Sequence, residues 1–193
     1  MTLANTSSST PLVVIEDKQY ERYDRPYSKD LTLCIIHDRE NRKMLLGMKQ
    51  RGLGQGKWNG FGGKLEPGET VLQAAVREVQ EECGLTVREE ELVKVAHLTF
   101  AFTSSPTLLH THVLLLPTYS PTLHGLPKPS PEMVPKWFRE DEIPYGEMWT
   151  GDRYWWPRVL GGEKLRGRFL FEDDQVGIRE SEIRVVTEEE ELY

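Results

Sequence analysis

The stretch Gly63 to Leu85, GKLEPGETVLQAAVREVQEECGL, decides how this chain is read. Thr70 and Gln73 have capping-box spacing, in which each side chain satisfies a free amide of a helix's first turn. Val71, Leu72, Ala75, Val76 and Val79 recur at helical intervals, and Gly84 stands where a left-handed residue ends a helix. The spacing therefore predicts a helix between Thr70 and Gly84. On it Glu78 and Glu82 are i,i+4 and Glu78 and Glu81 are i,i+3, so three carboxylates crowd one face. Like charges so placed destabilise a helix unless a cation is shared among them. An oxygen-only carboxylate cluster suits Mg²⁺ or Mn²⁺ and not Zn²⁺. Arg77 can steady one carboxylate by a bidentate contact. A glutamate run is ordinarily a solvated face, and that reading serves for Glu89 to Glu91 and Glu188 to Glu191. It fails here. Gly63, Glu69, Arg77, Glu78, Val79, Glu81, Glu82, Gly84 and Leu85 form a nine-position pattern that recurs by chance in about one chain per million of this composition.

Upstream, Arg51 to Gly63 holds six glycines in thirteen residues, too many for a helix or strand, and reads as a loop whose backbone approaches something closely. Lys49, Arg51, Lys57 and Lys64 bracket it and can offset the charge of an anionic ligand. It is not a Walker loop, because Gly56-Lys57 precedes Trp58 and Gly63-Lys64 precedes Leu65, with no Ser or Thr in either place. Leu31 to His37 and Lys43 to Lys49 are β-type runs around the polar turn Asp38 to Asn41, a hairpin. Downstream, Leu92 to Phe102 and Thr111 to Leu116 read as strands. Six prolines between Pro117 and Pro135 exclude regular structure there. Lys136 to Arg139 is a short strand, Tyr145 to Leu160 holds three of the five tryptophans, and Leu165 to Phe171 and Ile183 to Thr187 close the sheet. Several strands with one strong helix and one weaker one make an α+β domain.

The 193 residues suit one domain. Residues 1–28 read as an N-terminal extension, flexible in part, in which Leu12 to Ile15 forms an edge strand or nothing. The single domain spans 29–187, and 188–193 are an acidic tail. A net charge of −7 argues against a large nucleic-acid footprint, though not against a small anionic ligand. Glu supplies 23 of the 31 acids, so the use of those glutamates becomes the question. No signal peptide and no apolar run near the ~20 residues of a membrane span stand out. Cys34 and Cys83, each in an apolar pattern, read as buried free thiols of a reducing compartment. The expected location is the cytoplasm, extending to the nucleus or mitochondrion, and a monomer is expected.

The nine-position pattern is the Nudix box, GX₅EX₇REUXEEXGU, matched without a mismatch. LLGMKQRGLGQGKWNGFGGK, EMVPKWF and EMWTGDRYWWP extend the likeness, so that Leu31 to Phe171 resembles the eukaryotic oxidised-purine nucleoside triphosphatases, 8-oxo-dGTPases homologous to MutT. The resemblance implies a mixed sheet sandwiched between helices. It implies Mg²⁺-dependent hydrolysis of modified purine triphosphates, of the 8-oxo-dGTP or 2-hydroxy-dATP kind, to the monophosphate and pyrophosphate. It gives the catalytic and metal-binding roles to Glu78, Glu81 and Glu82, with Arg77 in support. Glu132 and the carbonyl of Gly62 or Gly63 complete the metal site. Lys49, Asn59 and Asp152 are implied as polar substrate contacts, Trp149 as the stacking wall, and Thr32, Leu53, Phe100, Phe102, Leu109, Trp155 and Phe171 as the lining.

Phe100 and Phe102, at i,i+2, share one strand face, and Asn59 offers both donor and acceptor to a base edge. The sequence departs from the family after Trp149: Thr150-Gly151-Asp152 carries one acid where the family has two adjacent ones. Leu53 stands where an aromatic residue is usual. A single buried Asp beside an apolar wall still has reason for a raised pKa. His110 and His112 face the same side of a strand but lack a third metal ligand. His37, His97 and His124 carry no signal. The readings left open are a Nudix enzyme of another diphosphate linkage (a dinucleoside polyphosphate, ADP-ribose or an mRNA cap) and a catalytically silent binding module.

Overall fold

Alternate residues of Leu33 to Ile36 bury on opposite sides of one strand, and this organises the molecule: Leu33 and Ile35 belong to one apolar core, Cys34 and Ile36 to another. The computed structural model describes residues 25–187. In chain order it contains β1 (Tyr27–Asp38), β2 (Lys43–Lys49), β3 (Trp58–Asn59), α1 (Val71–Cys83), β4 (Val93–Phe102) and β5 (Thr107–Leu116). Then follow α2 (Pro121–His124), β6 (Met133–Arg139), α3 (Asp152–Leu160), β7 (Leu165–Phe171) and β8 (Ile178–Val185). The strands form one mixed sheet in the order β3-β2-β1-β5-β4-β7-β8, with β6 added to β2. The β1–β5 and β4–β7 pairs are parallel and the others antiparallel.

Helix α1 covers one face, packing Ala75, Val79 and Cys83 against Cys34, Ile36, Leu114 and Leu116. On the other face α3 packs Trp155, Trp156 and Val159 against Leu33, Ile35, Leu98, Val113 and Phe169. The expected arrangement of a mixed sheet between helices is the observed one. The capping box of α1 forms as its spacing predicts: Gln73 N donates to Thr70 Oγ1 at 3.2 Å, and Thr70 N donates to Gln73 Oε1 at 3.0 Å. Gly84 ends the helix with φ 71°. Both cysteines are free and buried. No helix among the described residues is long and apolar enough to cross a membrane.

The glycine-rich stretch has its own architecture. Trp58 and Asn59, expected in a loop, pair with Met48 and Gly47 of β2. Phe61 and Lys64 then bridge to Cys34 and Leu31 of β1, so this stretch runs between β1 and the second half of β2. The approach is close enough to explain the glycines. A Cβ on Gly60 would fall 2.7 Å from the Cys34 carbonyl oxygen, and one on Gly62 would fall 2.1 Å from that of Thr32.

Other boundaries differ from expectation. Strand β1 begins at Tyr27, so two residues assigned to the extension belong to the sheet. The proline-rich connection is not wholly irregular: Pro121 starts the single turn α2, and Pro135 lies in β6. Proline is tolerated there because β6 pairs on one side only, with β2, leaving its other edge without a ladder to interrupt. Strand β8 starts at Ile178, five residues before the expected Ile183. Glu91, read as solvated, pairs with Arg88 at 2.9 Å and with His124 at 3.4 Å. The stretch Leu12 to Ile15 and the tail Glu188 to Glu191 lie outside the described residues.

Candidate active site

A cleft of about 1060 Å³ opens at one end of the sheet and joins the two faces. Its α1 side is carboxylate-rich. Glu82, almost fully buried, accepts from Gly62 N at 2.9 Å and from Lys49 Nζ at 2.9 Å. The same Lys49 ammonium donates to Glu132 Oε2 at 3.2 Å, and Arg51 Nε donates to Glu132 Oε1 at 3.0 Å. Arg77 grips Glu69 bidentately at 2.7 and 2.9 Å and reaches Glu78 at 2.9 Å, Glu81 at 3.4 Å and the Lys64 carbonyl at 3.0 Å. Each acidic group is thus held by a cation or an amide before any ligand arrives.

Burial dominates the titration of the inner pair. It pushes the pKa values of Glu78 and Glu82 above the ordinary carboxylate range, against the pull of Arg77 on Glu78 and of Lys49 and the Gly62 amide on Glu82. Burial also works against the charge of Lys49, but Glu82 and Glu132 outweigh it and the lysine pKa is raised. Arg77 holds Glu69 down at about 2. The carboxylates of Glu78, Glu81, Glu82 and Glu132 form an oxygen-only donor set whose chemistry fits a hard divalent ion. Gly63 lets the backbone pass close to Glu78, since a Cβ there would sit 2.2 Å from Glu78 Oε1. The expected cage is not preassembled, however. Among the described residues no three His, Cys, Asp or Glu side chains converge as a ready metal cage; instead Lys49 bridges Glu82 and Glu132, and Arg77 bridges Glu69, Glu78 and Glu81. Of the two candidate carbonyls, that of Gly63 accepts from Thr32 N at 2.8 Å.

The α3 side is aromatic. Phe102 and Phe171 stack with ring centroids 5.5 Å apart, and Trp149 meets both edge-on, at 6.2 and 6.0 Å. Phe100, Leu109, Thr32 and Asn59 line the same space, and the exposed Leu53 stands at its rim. Asn59 is oriented by its own neighbour, Gly60 N donating to Oδ1 at 2.9 Å. Asp152 is buried at the head of α3 and accepts from Trp149 N at 3.1 Å and from Trp155 Nε1 at 3.2 Å. Burial pushes its carboxyl up to about 7, opposed by those two donors and by Lys57.

The structure brings every sequence-implied site residue to this cleft except one. Trp155 does not line it. It is fully buried beneath Asp152, because its position three residues on along α3 turns the indole into the core. Lys57 is a second correction: grouped with the phosphate-side cations, it instead lies 5.5 Å over the Trp149 ring. The reading missed Thr111 and Ser130, which line the cleft. Alternation from Leu109 could have found Thr111, whereas Ser130 carries no local signal. Away from the cleft, His112 meets Asp30 at 3.2 Å, His110 meets Thr99 at 3.3 Å, and His97 stacks on the His110 ring and lies tilted against that of His112. Burial and those two neighbours lower His97, the histidine read as silent, to about 4.

A mixed sheet between two helices, with a glutamate-bearing helix at one end of a nucleotide-sized cleft, defines a Nudix hydrolase, and the chain belongs to the Nudix family: residues 29–159 match the NUDIX domain. Members of this family act on small nucleotide substrates and generally use divalent metal ions. Among its relatives, the chain is 46% identical over 146 residues to the oxidized purine nucleoside triphosphate hydrolase of Mus musculus, a match covering 76% of this chain and 88% of the mouse protein. It is 43% identical over 149 residues to the zebrafish (Danio rerio) protein of the same name, covering 77% and 90%. The crystal structure of the mutator MutT protein from Bacillus halodurans superposes with a TM-score of 0.67 at 25% identity, covering 80% of this chain and 97% of that one.

Proposed function

We propose that the protein hydrolyses oxidised or otherwise modified purine nucleoside triphosphates, of the 8-oxo-dGTP and 2-hydroxy-dATP type, to the monophosphate and pyrophosphate, and so sanitises the nucleotide pool. The observation that carries this reading is one cleft with the α1 carboxylates at one end and, at the other, the wall of Phe102, Phe171 and Trp149 beside Asp152 at the head of α3. It fits both halves of a purine nucleotide, and it agrees with the activity named for the mouse and zebrafish relatives.

The roles follow from position. Glu78, Glu81, Glu82 and Glu132 would hold Mg²⁺, with Mn²⁺ as a substitute, together with the Gly62 or Gly63 carbonyl. Bound there, the metal would neutralise polyphosphate charge and lower the pKa of water. Lys49 and Arg51, held at the phosphate end by Glu82 and Glu132, would supply the positive charge that faces phosphate oxygens. Arg77, through its bidentate grip on Glu69, fixes the loop after Gly63 against α1, orients Glu78 and pulls it toward ionisation against its burial. Glu78, whose proton affinity is raised by burial, is suited to take a proton from attacking water. At the other end Trp149 stacks on the base, while Asn59 and Asp152 read its edge. We further infer a monomer, working in the cytoplasm and wherever else nucleotides are pooled, the nucleus and mitochondrion included.

The test compares kcat/KM for 8-oxo-dGTP, 2-hydroxy-dATP, O6-methyl-dGTP and dGTP with Mg²⁺, with pyrophosphate measured as product. Modified purines should exceed dGTP by at least about tenfold, a difference of roughly 1.4 kcal/mol in transition-state binding. Equal values for dGTP would remove the sanitising role and leave only the hydrolytic one.

A further inference from the structure

Lys57 is placed unlike its neighbours. Lys49 and Arg51, at the start of the glycine-rich stretch, are engaged with Glu82 and Glu132 at the phosphate end. The chain then turns back on itself, Gly56 N and Lys57 O pairing with Lys49 O and Lys49 N at 2.9 and 3.0 Å. This turn carries the Lys57 side chain to the base end. Its ammonium lies 5.5 Å from the Trp149 ring centroid and 3.5 Å from the Met148 carbonyl oxygen. Gly54 presses on the same indole, a Cβ there falling 3.2 Å from Trp149 Cζ2. The backbone amide of Trp149 in turn donates to Asp152 Oδ2 at 3.1 Å. A positive charge, a stacking wall and a buried acid are therefore linked contact by contact.

Few groups compete with Lys57 for influence over Asp152. The Trp149 amide and the Trp155 indole are fixed neutral donors. Tyr145, from the turn before α3, titrates at about 12, raised by its burial and by Asp152 itself, and so stays neutral. Position 151 is glycine and offers no second acid, and a Cβ there would already meet the Phe169 ring at 3.2 Å.

We propose that Lys57 is a positioning residue that sets base specificity: its ammonium steadies Trp149, whose amide holds Asp152, and brings positive charge to the base end of the cleft, so that the cleft favours purines whose edge donates N–H groups. The proposal rests on the purine-triphosphatase reading of the site. The sign of the Lys57 effect agrees with it, since Lys57 draws the Asp152 carboxyl back toward ionisation while burial holds it near 7. A carboxylate only accepts hydrogen bonds, whereas a protonated acid donates one, so the charge on Lys57 selects which purine edge is complemented. With a midpoint near neutrality, a modest change in that charge alters the population substantially.

Lys57→Met and Lys57→Arg separate the outcomes. Two readouts are needed: the carboxyl ¹³C titration of Asp152 by NMR, which requires no substrate, and KM and kcat for 8-oxo-dGTP between pH 6 and 9. In Lys57→Met the Asp152 midpoint should rise above about 7. KM at pH 7 should rise several-fold while kcat stays within twofold. The two KM values should converge by pH 9, where Asp152 is ionised in both proteins, and Lys57→Arg should restore the wild-type profile. An unchanged midpoint, or a raised midpoint with unchanged KM, overturns the proposal. A wild-type protein that turns over none of the purine triphosphates while its Asp152 midpoint still responds to Lys57 refutes the functional reading, and with it the specificity role.

Discussion

Gly63→Ala should separate activity from stability. The new Cβ would lie 2.2 Å from Oε1, 2.5 Å from Cδ and 2.8 Å from Oε2 of Glu78. Non-bonded carbon requires about 3.5 Å, so the carboxylate must retreat by roughly 1 Å. A side-chain tip can do this by rotating about its own bonds, which limits the cost to about 1–2 kcal/mol, a Tm loss of a few degrees in a chain of this size. The retreat also breaks the 2.9 Å contact with Arg77. Misplacing a group that orients water or metal by about 1 Å costs around a hundredfold in rate. The control is the adjacent glycine. Gly62→Ala would put a Cβ 2.1 Å from the Thr32 carbonyl oxygen, a backbone atom in the sheet that cannot step aside. That variant should fail to fold. The assay is kcat for 8-oxo-dGTP at saturating Mg²⁺ beside thermal melting of both variants. Wild-type kcat in Gly63→Ala would remove Glu78 from the catalytic set. A Gly63→Ala protein as unstable as Gly62→Ala would show that the side chain does not yield, and the steric reasoning would be wrong.

Glu81→Gln and Glu82→Gln should both lower kcat by orders of magnitude yet differ in stability, because the Glu81 side chain is 59% exposed and that of Glu82 is 3% exposed. Glu82→Gln confronts Lys49 with an amide and should cost about 1–3 kcal/mol, whereas Glu81→Gln should melt as wild type; equal Tm values would contradict the burial argument. Folded Asp152 keeps its proton up to about 7 while an unfolded aspartate releases it near 3.8. Its contribution is therefore full below about pH 4 and is lost as pH rises to about 7, an upper bound of about 4 kcal/mol. Asp152→Asn should accordingly gain on wild type in urea denaturation between pH 5 and pH 8, and a pH-independent gap would refute the shift. Chelation of divalent ions should abolish turnover and leave the fold intact by circular dichroism, because Lys49 and Arg77 already pair the site carboxylates; unfolding on chelation would show that the ion pairs are not enough.

The sequence was most legible where signals are local. The capping box at Thr70, the glycine at 84 and the apolar face between them lie within one helix and compete with nothing distant. Phe100 and Phe102 were placed together by alternation alone. What escaped reading depends on contacts far apart in the chain. Lys49 reaches Glu82 and Glu132 across the fold, and nothing local distinguishes it from a solvated lysine. Trp149 and Trp155 are both aromatic residues flanking Asp152, and only the direction of α3 decides that one faces the cleft and the other the core. The pairing of Trp58 and Asn59 was hidden by the glycines around them, whose purpose is steric and becomes visible only against the carbonyls of β1.

The two cores on opposite faces of the sheet have an evolutionary consequence. Side chains that would perform the chemistry hang from α1, and those that would read the base cluster beside α3, with a layer of hydrogen-bonded strands as a partition between them. Substitutions in widely separated, unconnected packing groups combine nearly additively. Selection can therefore remodel the wall around Trp149 while the carboxylates keep their register. One reaction can thus be offered to a changing set of bases. The partition has a narrow gap: the chain leaves β2 at Lys49, whose ammonium reaches Glu82 and Glu132, and turns back to set Lys57 over Trp149, so a change here touches recognition and catalysis together.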